Sequence, residues 1–212
     1  MEDALARLID APQVLAVAAA LGWASGVRLY LALFVAGLAG TLGWVDLPQG
    51  LHLLQHPAVL ATSGLLTFTE FFADKIPLVD SLWDMVHTVI RIPAGAALAA
   101  GAIGADSATI GWIAALIGGG LAATSHASKM TTRAAVNTSP EPFSNVGVSL
   151  AEDGFVLFML WLAATEPLIF AIVLALTLIA SVVLMVVLIR FLRVVVRRLT
   201  EFFAGRRSPQ GS

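Results

Sequence analysis

Six apolar runs follow one another along the chain, separated by short polar segments. They cover about residues 14–42, 57–73, 82–103, 108–128, 146–164 and 167–189. A helix needs about 20 predominantly apolar residues to cross the hydrocarbon core of a bilayer, and each run is close to or above that length. The pattern therefore predicts an all-α, polytopic membrane bundle of about six transmembrane helices.

The first run is the longest of the six, and Trp23, Ser25, Gly26 and Arg28 interrupt it. A straight span does not need this length. The run therefore predicts a helix that is either tilted or broken near Gly26.

Composition places the chain in the same class. Of its 212 residues, 58% are hydrophobic and 12% are charged, whereas roughly 25% are charged in soluble domains, and its mean hydropathy is +0.90. A soluble globule of this size could not remove so much apolar surface from water. We predict an amphipathic cytoplasmic entry at 1–12, one transmembrane domain at 13–189 and a basic cytoplasmic tail at 190–212. The chain has no cysteine, which excludes disulfides and thiolate metal ligands.

The basic residues set the predicted orientation, because short loops rich in Lys and Arg stay in the cytoplasm. With six spans and both termini inside, ten of the twelve basic residues lie on the cytoplasmic side: Arg7, Lys75, Lys129, Arg133 and the six arginines from Arg190 to Arg207. The tail can contact anionic lipid headgroups. It lacks a folded module that would indicate nucleic-acid binding.

Polar residues inside the predicted helices fall on single faces. In the third helix Asp80, Asp84, His87 and Arg91 are 4, 3 and 4 residues apart, which confines them to an arc of about 60° at about 100° per residue. Similar stripes are Ser63, Thr67, Glu70 and Asp74 in the second helix, Ala122, His126, Lys129 and Arg133 in the fourth, and Asn145, Ser149, Glu152 and Asp153 in the fifth. All four stripes lie toward the predicted cytoplasmic ends.

Two structural explanations compete with a binding site. The charged groups nearest the helix ends could extend to the interface; they are Asp74, Lys75, Asp80, Lys129 and Arg133. Alternatively, Arg91 could pair with Asp84 or Glu70 only to fix helix packing. Four polar faces at one depth cannot all contact lipid, however, so they must face one another or a wet cavity.

The polar segment at 131–145 contains Asn137, Pro140 and Pro142, and we expect a re-entrant or broken element near residues 130–150. A weak repeat also aligns the sequence ADKI at 73–76 with ASKM at 127–130. It predicts two hairpins of the same sense, one from helices two and three and one from helices four and five. Duplicated units of this kind are common in transporters.

These motifs resemble a bacterial membrane family catalogued as domain of unknown function 4126. The resemblance covers about residues 20–165. It rests on ASG at 24–26, on FADKIPLVDS at 72–81 and on the residues Asp84, Thr88, Arg91, Gly95, His126, Lys129, Arg133, Asn137, Asn145, Ser149, Glu152 and Asp153. Here SPEPFSN at 139–145 replaces a glycine-rich linker of other members. The resemblance implies a bacterial cytoplasmic (inner) membrane location but no activity.

The first functional hypothesis is a small transporter or channel-like protein. Glu70, Asp74, Asp84 and His87 would handle a proton or a cation, and the bases would pair with these acids or hold an anionic metabolite. The full set of candidate binding residues is Arg28, Glu70, Asp74, Asp80, Asp84, His87, Arg91, His126, Lys129, Arg133, Asn137, Asn145, Glu152 and Asp153.

Two other hypotheses remain open at this point. One is a non-catalytic scaffold or assembly factor, in which the stripes only hold the helices together. The other is an intramembrane enzyme acting on a lipid or lipid-phosphate with a divalent metal, although no known catalytic motif supports it. The sequence identifies no cofactor. The bilayer is the one clear partner, and homo-oligomers are plausible for a chain of this size.

Overall fold

The chain forms helices throughout the part that the computed structural model describes, which is residues 12–104, 108–138 and 142–205. The helices are α1 (Pro12–Thr41), a 3-10 helix (Gln49–Gln55), α2 (Pro57–Ala73), α3 (Val79–Ile103), α4 (Ala108–Val136), α5 (Pro142–Thr165) and α6 (Pro167–Gly205). These described residues include no strand, and the predicted all-α bundle is confirmed. The entry predicted before Pro12, together with Arg206 and Arg207 of the tail, lies outside the described residues.

The helix boundaries follow from local chemistry. Four of the six long helices begin at a proline, where the missing N–H costs nothing and the fixed φ suits a helix. His56 caps α2, because its Nδ1 accepts a hydrogen bond of 3.2 Å from the backbone N–H of Ala58. Gly104, with φ of 60°, ends α3 in the left-handed conformation that glycine adopts freely.

Among the described residues, five helices, α1 and α3 to α6, have the length and apolar composition of membrane spans, and the 17-residue α2 is a shorter apolar helix. The apolar side chains that face outward along these helices would be costly in water but suit lipid. The chain is accordingly an integral, multi-pass membrane protein.

The helix α1 is broken, which was one of the two alternatives for its interruption near Gly26. Arg28 has non-helical backbone angles, with φ of −145° and ψ of 74°. Val17 from the first half and Ala39 from the second half line one cavity, although a straight helix would hold them about 33 Å apart. The two halves therefore form a hairpin with Arg28 at its tip.

The lengths of the two halves of α1 fit a re-entrant hairpin. Its halves, 12–27 and 29–41, are about 24 and 20 Å long at 1.5 Å per residue, shorter than the roughly 30 Å of bilayer hydrocarbon. Both open at one end of the bundle, where the side chain of Gln13 donates a hydrogen bond to the carbonyl of Ala164. We call this end, marked by Gln13, Trp44 and Ala164, the hairpin end. The opposite end, marked by Lys75 and Asn137, is the turn end.

This reversal changes the topology from the one predicted. From the hairpin end, α2, α4 and α6 run to the turn end, and α3 and α5 return. Pro12 and Arg198 consequently lie at opposite ends of the bundle, whereas six straight spans would place them at the same end. The difference arises because α1 enters and leaves at the same end instead of crossing.

Close backbone contacts seat the hairpin between α3 and α4. A Cβ atom on Gly22 would lie 2.9 Å from the Cα of Gly118 in α4, and one on Gly95 in α3 would lie 3.0 Å from the carbonyl oxygen of Gly22. Small residues permit this approach. As a result, the first half of α1 and its tip are the most buried part of the core.

The segment at 131–145 is more regular than predicted. α4 continues to Val136 and α5 begins at Pro142, so the break is confined to 137–141, of which 139–141 lie outside the described residues. The hydroxyls of Thr131 and Thr132 bond to carbonyls four residues earlier, at 2.7 and 2.9 Å. The polar side chains of this segment are therefore compatible with a helix. The element that turns back inside the bundle is α1 and not the segment at 131–145.

Candidate functional site: a buried charged centre at the tip of α1

The four polar stripes meet around the tip of α1, in what we call the charged centre. All 14 predicted residues lie within the described part of the chain, and 11 of them are buried. These are Arg28, Glu70, Asp74, Asp80, Asp84, His87, Arg91, His126, Lys129, Arg133 and Asn145. Asn137, Glu152 and Asp153 are partly buried.

The interface explanation for the helix-end charges is wrong for most of them. Asp74, Asp80 and Arg133 are 0% exposed and Lys129 is 3% exposed, so these groups point into the bundle and not toward a headgroup region. Lys75 is partly buried, and its Nζ lies 3.0 Å from the ring centroid of Phe71.

Lys75 lies in the turn after α2. Burial is the largest influence on its ammonium, and it lowers the pKa below the ordinary value for lysine.

Arg28 connects the tip to α2 and α5. It forms ion pairs with Asp74 and, over 2.8 Å, with Asp153. Its Nη2 also donates to the hydroxyl of Ser149 at 2.8 Å and lies 3.6 Å from a carboxylate oxygen of Glu152. Because the backbone at Arg28 is not helical, its side chain extends beyond the tip of the hairpin. Its guanidinium group therefore lies between α2 and α5.

Arg91 crosses the deeper part of the charged centre. It forms an ion pair with Glu70, and its Nη1 lies 2.8 Å from Asp84 Oδ1. Its Nη1 also approaches the carbonyl of Gly26 at 3.4 Å and His126 Nδ1 at 3.3 Å. Arg91 thus pairs with both Asp84 and Glu70, which the packing explanation had named as alternative partners.

Lys129 lies among three carboxylates. Its Nζ is 2.8 Å from Asp74 Oδ2, 3.0 Å from Asp84 Oδ1 and 3.8 Å from Glu70 Oε1. It also donates to the carbonyl of Val27 at 3.2 Å. In an unbroken helix the carbonyls just before Arg28 would accept hydrogen bonds from the helix backbone. Here the carbonyls of Gly26 and Val27 accept hydrogen bonds from Arg91 and Lys129 instead.

Arg133 and Asn137 connect the helices at the turn end. Arg133 Nη2 lies 2.7 Å from Glu152 Oε2, and its Nη1 donates to the carbonyl of Asp74 at 3.0 Å. The Asn137 amide donates to the two carboxylate oxygens of Asp80 at 2.9 and 3.1 Å, and its oxygen accepts from Asn145 at 2.9 Å. These bonds tie α3, α4 and α5 together beside the charged centre.

The two histidines differ in their surroundings. His126 contacts the hydroxyl of Thr88 through Nε2 at 2.7 Å and the carbonyl of Gly26 through Nδ1 at 3.2 Å. His87 stacks on Trp83, with ring centroids 4.2 Å apart, and meets Tyr30 edge to face at 5.6 Å. His126 therefore belongs to the charged centre, whereas His87 belongs to an aromatic group beside it.

Four carboxylates keep an oxygen without a hydrogen bond. Among the described residues, the buried oxygens Glu70 Oε2, Asp74 Oδ1, Asp84 Oδ2 and Asp153 Oδ2 accept no hydrogen bond, and the ion pairs described above use the other oxygen of each group. A buried acceptor left without a partner costs about 1–3 kcal/mol. These oxygens are the places where the charged centre can accept a further proton or cation.

The basic side chains lie between the acidic ones, so the carboxylates do not form a set of metal ligands. Within 12–104, 108–138 and 142–205 no group of three or more His, Asp or Glu side chains is arranged to hold a metal ion. Lys129 lies where a cation shared by Glu70, Asp74 and Asp84 would otherwise lie.

Sequence reasoning missed some contributors. Ser149 was placed on a polar stripe but not among the binding residues, and it contacts both Arg28 and Lys75. The carbonyls of Gly26 and Val27 carry no side-chain signal. Only the predicted break near Gly26 pointed to free backbone groups there.

Comparison with known proteins gives a family and no activity. A family model described as Domain of unknown function (DUF4126) matches residues 15–188, which include every member of the charged centre. No curated protein and no solved structure matches the chain.

Proposed function

Because the chain belongs to the DUF4126 family, whose description states no activity, we propose from the geometry that it is a small transporter that moves a proton or a small cation through the charged centre. The observation that carries this proposal is a re-entrant hairpin whose charged tip lies among the stripes of α2 to α5. Transporters commonly bind their substrates at broken helices, whose unwound backbone supplies ligands inside the membrane.

Charge balance favours a cationic substrate over an anionic one. Six carboxylates face four buried bases and the partly buried Lys75, an excess of one negative charge: Glu70, Asp74, Asp80, Asp84, Glu152 and Asp153 against Arg28, Arg91, Lys129, Arg133 and Lys75. An anionic metabolite would have to displace acids already paired with those bases. A proton or cation instead reduces the excess of negative charge.

The unpartnered oxygens support the same choice. Protonation of Asp84 Oδ2 or Glu70 Oε2 would turn an unsatisfied acceptor into a neutral carboxylic acid and weaken its pairing with Arg91 and Lys129. Arg91 and Lys129, which contact the tip of α1 through its carbonyls, would then be held less firmly by these acids, while Arg28 keeps its pairs with Asp74 and Asp153. This couples charge uptake to movement of the hairpin.

We also propose that the turn end faces the cytoplasm of a bacterial cell. Lys75 and the arginines of α6 from Arg190 to Arg198 lie at or beyond that end, as the distribution of basic residues in membrane proteins predicts. The native chain has no cysteine, so Thr41→Cys and Thr138→Cys give two exposed single labelling sites. A membrane-impermeant maleimide added to intact cells should label position 41 and spare 138, and the reverse result would invert the orientation.

Flux through proteoliposomes tests the transport proposal. Asp84→Asn removes a carboxylate of the charged centre with little change in shape, and Glu166→Gln makes the same chemical change at an exposed site between α5 and α6. With an imposed pH or cation gradient, wild type and Glu166→Gln should show flux and Asp84→Asn should lose it. Equal flux in both variants, or none in wild type for protons and alkali cations, would contradict the proposal.

A scaffold is the second candidate, because each of the four bases already has ion-pair partners and is at most 3% exposed. Such a closed network could serve packing alone. A scaffold requires that Asp84→Asn act only through stability, so loss of flux in a variant that melts like wild type would exclude it.

A further inference from the structure

A second site lies at the hairpin end, away from the charged centre. A cavity of about 350 Å³ opens between the two halves of α1 and the last turns of α5, within the size range of ligand pockets. Its deep wall includes Leu21, seven residues and about 10 Å of helix from Arg28. The cavity and the charged centre therefore share the hairpin but not a binding surface.

The cavity wall is almost entirely aliphatic and aromatic. Val17, Leu21, Val35, Leu157 and Leu160 supply branched side chains. No charged side chain lines it among the described residues. Only an apolar chain would fill this space without leaving a polar group unsatisfied.

The mouth of the cavity is polar. A neighbouring cavity of about 310 Å³ shares Val17, Trp44, Val45 and Ala164 with the first and adds Gln13 and Asp46. Trp44 is 74% exposed, as expected for an indole in a membrane interface. An apolar depth with a polar mouth at one end of the bundle fits an amphiphile lying along the bilayer normal.

The polar groups at the mouth are acceptors. Gln13 uses its amide N–H on the carbonyl of Ala164, which orients its own carbonyl oxygen as an acceptor, and Asp46 contributes a carboxylate. No base lines the mouth among the described residues. Acceptors without a base favour a head group that carries both positive charge and N–H donors.

From this geometry we infer that the cavity binds one phospholipid with a primary-amine head group, one of its two acyl chains between the halves of α1 and its ammonium at Gln13 and Asp46. A phosphatidylcholine head group has the same charge but no N–H donor, and a phosphatidylglycerol head group would bring net negative charge to Asp46. The bound chain fills the space between the halves of the hairpin and holds them apart. The inference does not depend on the transport activity of the charged centre.

Retention of lipid by the purified full chain tests the inference. The protein would be reconstituted in vesicles of equimolar phosphatidylethanolamine, phosphatidylcholine and phosphatidylglycerol, released in mild detergent and weighed intact by native mass spectrometry. Wild type should retain one phospholipid, with phosphatidylethanolamine at least threefold enriched over phosphatidylcholine. Retention of none, or enrichment of phosphatidylglycerol, would overturn the inference.

Two variants and one control locate the bound lipid. Ala39→Phe places a ring in the cavity and should reduce retention at least fivefold, whereas Ala61→Phe adds the same ring to an exposed face of α2 near the same end and should not. Asp46→Asn, at an exposed position that folding should tolerate, should keep the lipid but lose its preference for phosphatidylethanolamine. Equal retention by both phenylalanine variants, or an unchanged preference in Asp46→Asn, would refute the site.

Discussion

The ion pair between Glu70 and Arg91 should be strongly coupled, because both side chains are removed from solvent. Arg91 is 0% exposed and Glu70 is 1% exposed. Arg91→Leu would leave Glu70 with only the more distant Lys129, at 3.8 Å. Loss of one partner from a buried pair typically costs about 3–5 kcal/mol.

A double-mutant cycle separates this coupling from general damage. Arg91→Leu should destabilise the protein by about 3–5 kcal/mol, and Glu70→Gln by less, because Arg91 keeps Asp84 at 2.8 Å. The double variant should lose at least about 2 kcal/mol less than the sum, because no Glu70 carboxylate is then left without Arg91, and Asp84 keeps Lys129 at 3.0 Å. The free energy of unfolding would be measured in mixed micelles with increasing denaturing detergent.

The chain supplies its own matched control. Arg197 and Glu201 form an ion pair of 2.8 Å on α6, with side chains 80% and 62% exposed. An exposed pair four residues apart on a helix is worth about 0.3–0.5 kcal/mol. If the Glu70–Arg91 coupling were no larger than that of Arg197–Glu201, the charged centre would be solvated in a way that contradicts the burial described above.

Further predictions concern packing and the turn end. Gly22→Val should destabilise the protein by about 1–3 kcal/mol, because a Cβ there lies 2.9 Å from the Cα of Gly118, whereas Gly147→Ala, with open space around it, should be neutral or mildly stabilising in thermal melts. Asn137→Ala should cost about 1–3 kcal/mol by leaving Asp80 without its amide donor. Asn137→Asp should be worse because it places two carboxylates in contact, and equal melting temperatures for these two variants would contradict that reasoning.

The polar stripes could be predicted because helical periodicity is a local property. Residues four, three and four apart must share a helix face, so the grouping of Asp80, Asp84 and Arg91 needed no knowledge of the fold. Their burial also followed, since charges within apolar helices are not tolerated against lipid. Few acidic residues lie deep within the apolar helices, so Glu70 and Asp84 were among the few possible partners of Arg91.

The reversal of α1 could not be predicted, because its cause lies far along the chain. Gly26 marked a break, but a break alone does not distinguish a tilted span from a hairpin. The direction is fixed by the partners of Arg28, which are Asp74 at the end of α2 and Asp153 in α5. Without knowledge of these partners, the position of Arg28 within an apolar run did not indicate that it forms the tip of a hairpin.

The surroundings of His87 differ from expectation for a local reason. Its spacing placed it on the same stripe as Asp84 and Arg91, but its ring stacks on Trp83, four residues earlier on α3. Helical periodicity shows on which face of α3 the residue lies, but it does not show which rotamer its side chain adopts. The repeat that relates α2 and α3 to α4 and α5 stays a prediction.

A distance across α1 tests the central claim, that a re-entrant hairpin carries Arg28 into the charged centre. Leu15 and Thr41 are exposed positions in the two halves, and paired cysteines there can be spin-labelled in a chain that has no cysteine of its own. In a straight helix these positions would be about 39 Å apart. Pulsed electron paramagnetic resonance in liposomes should give a distance near or below about 20 Å, roughly half of that straight-helix value; a single distance near that of a straight helix would contradict the account.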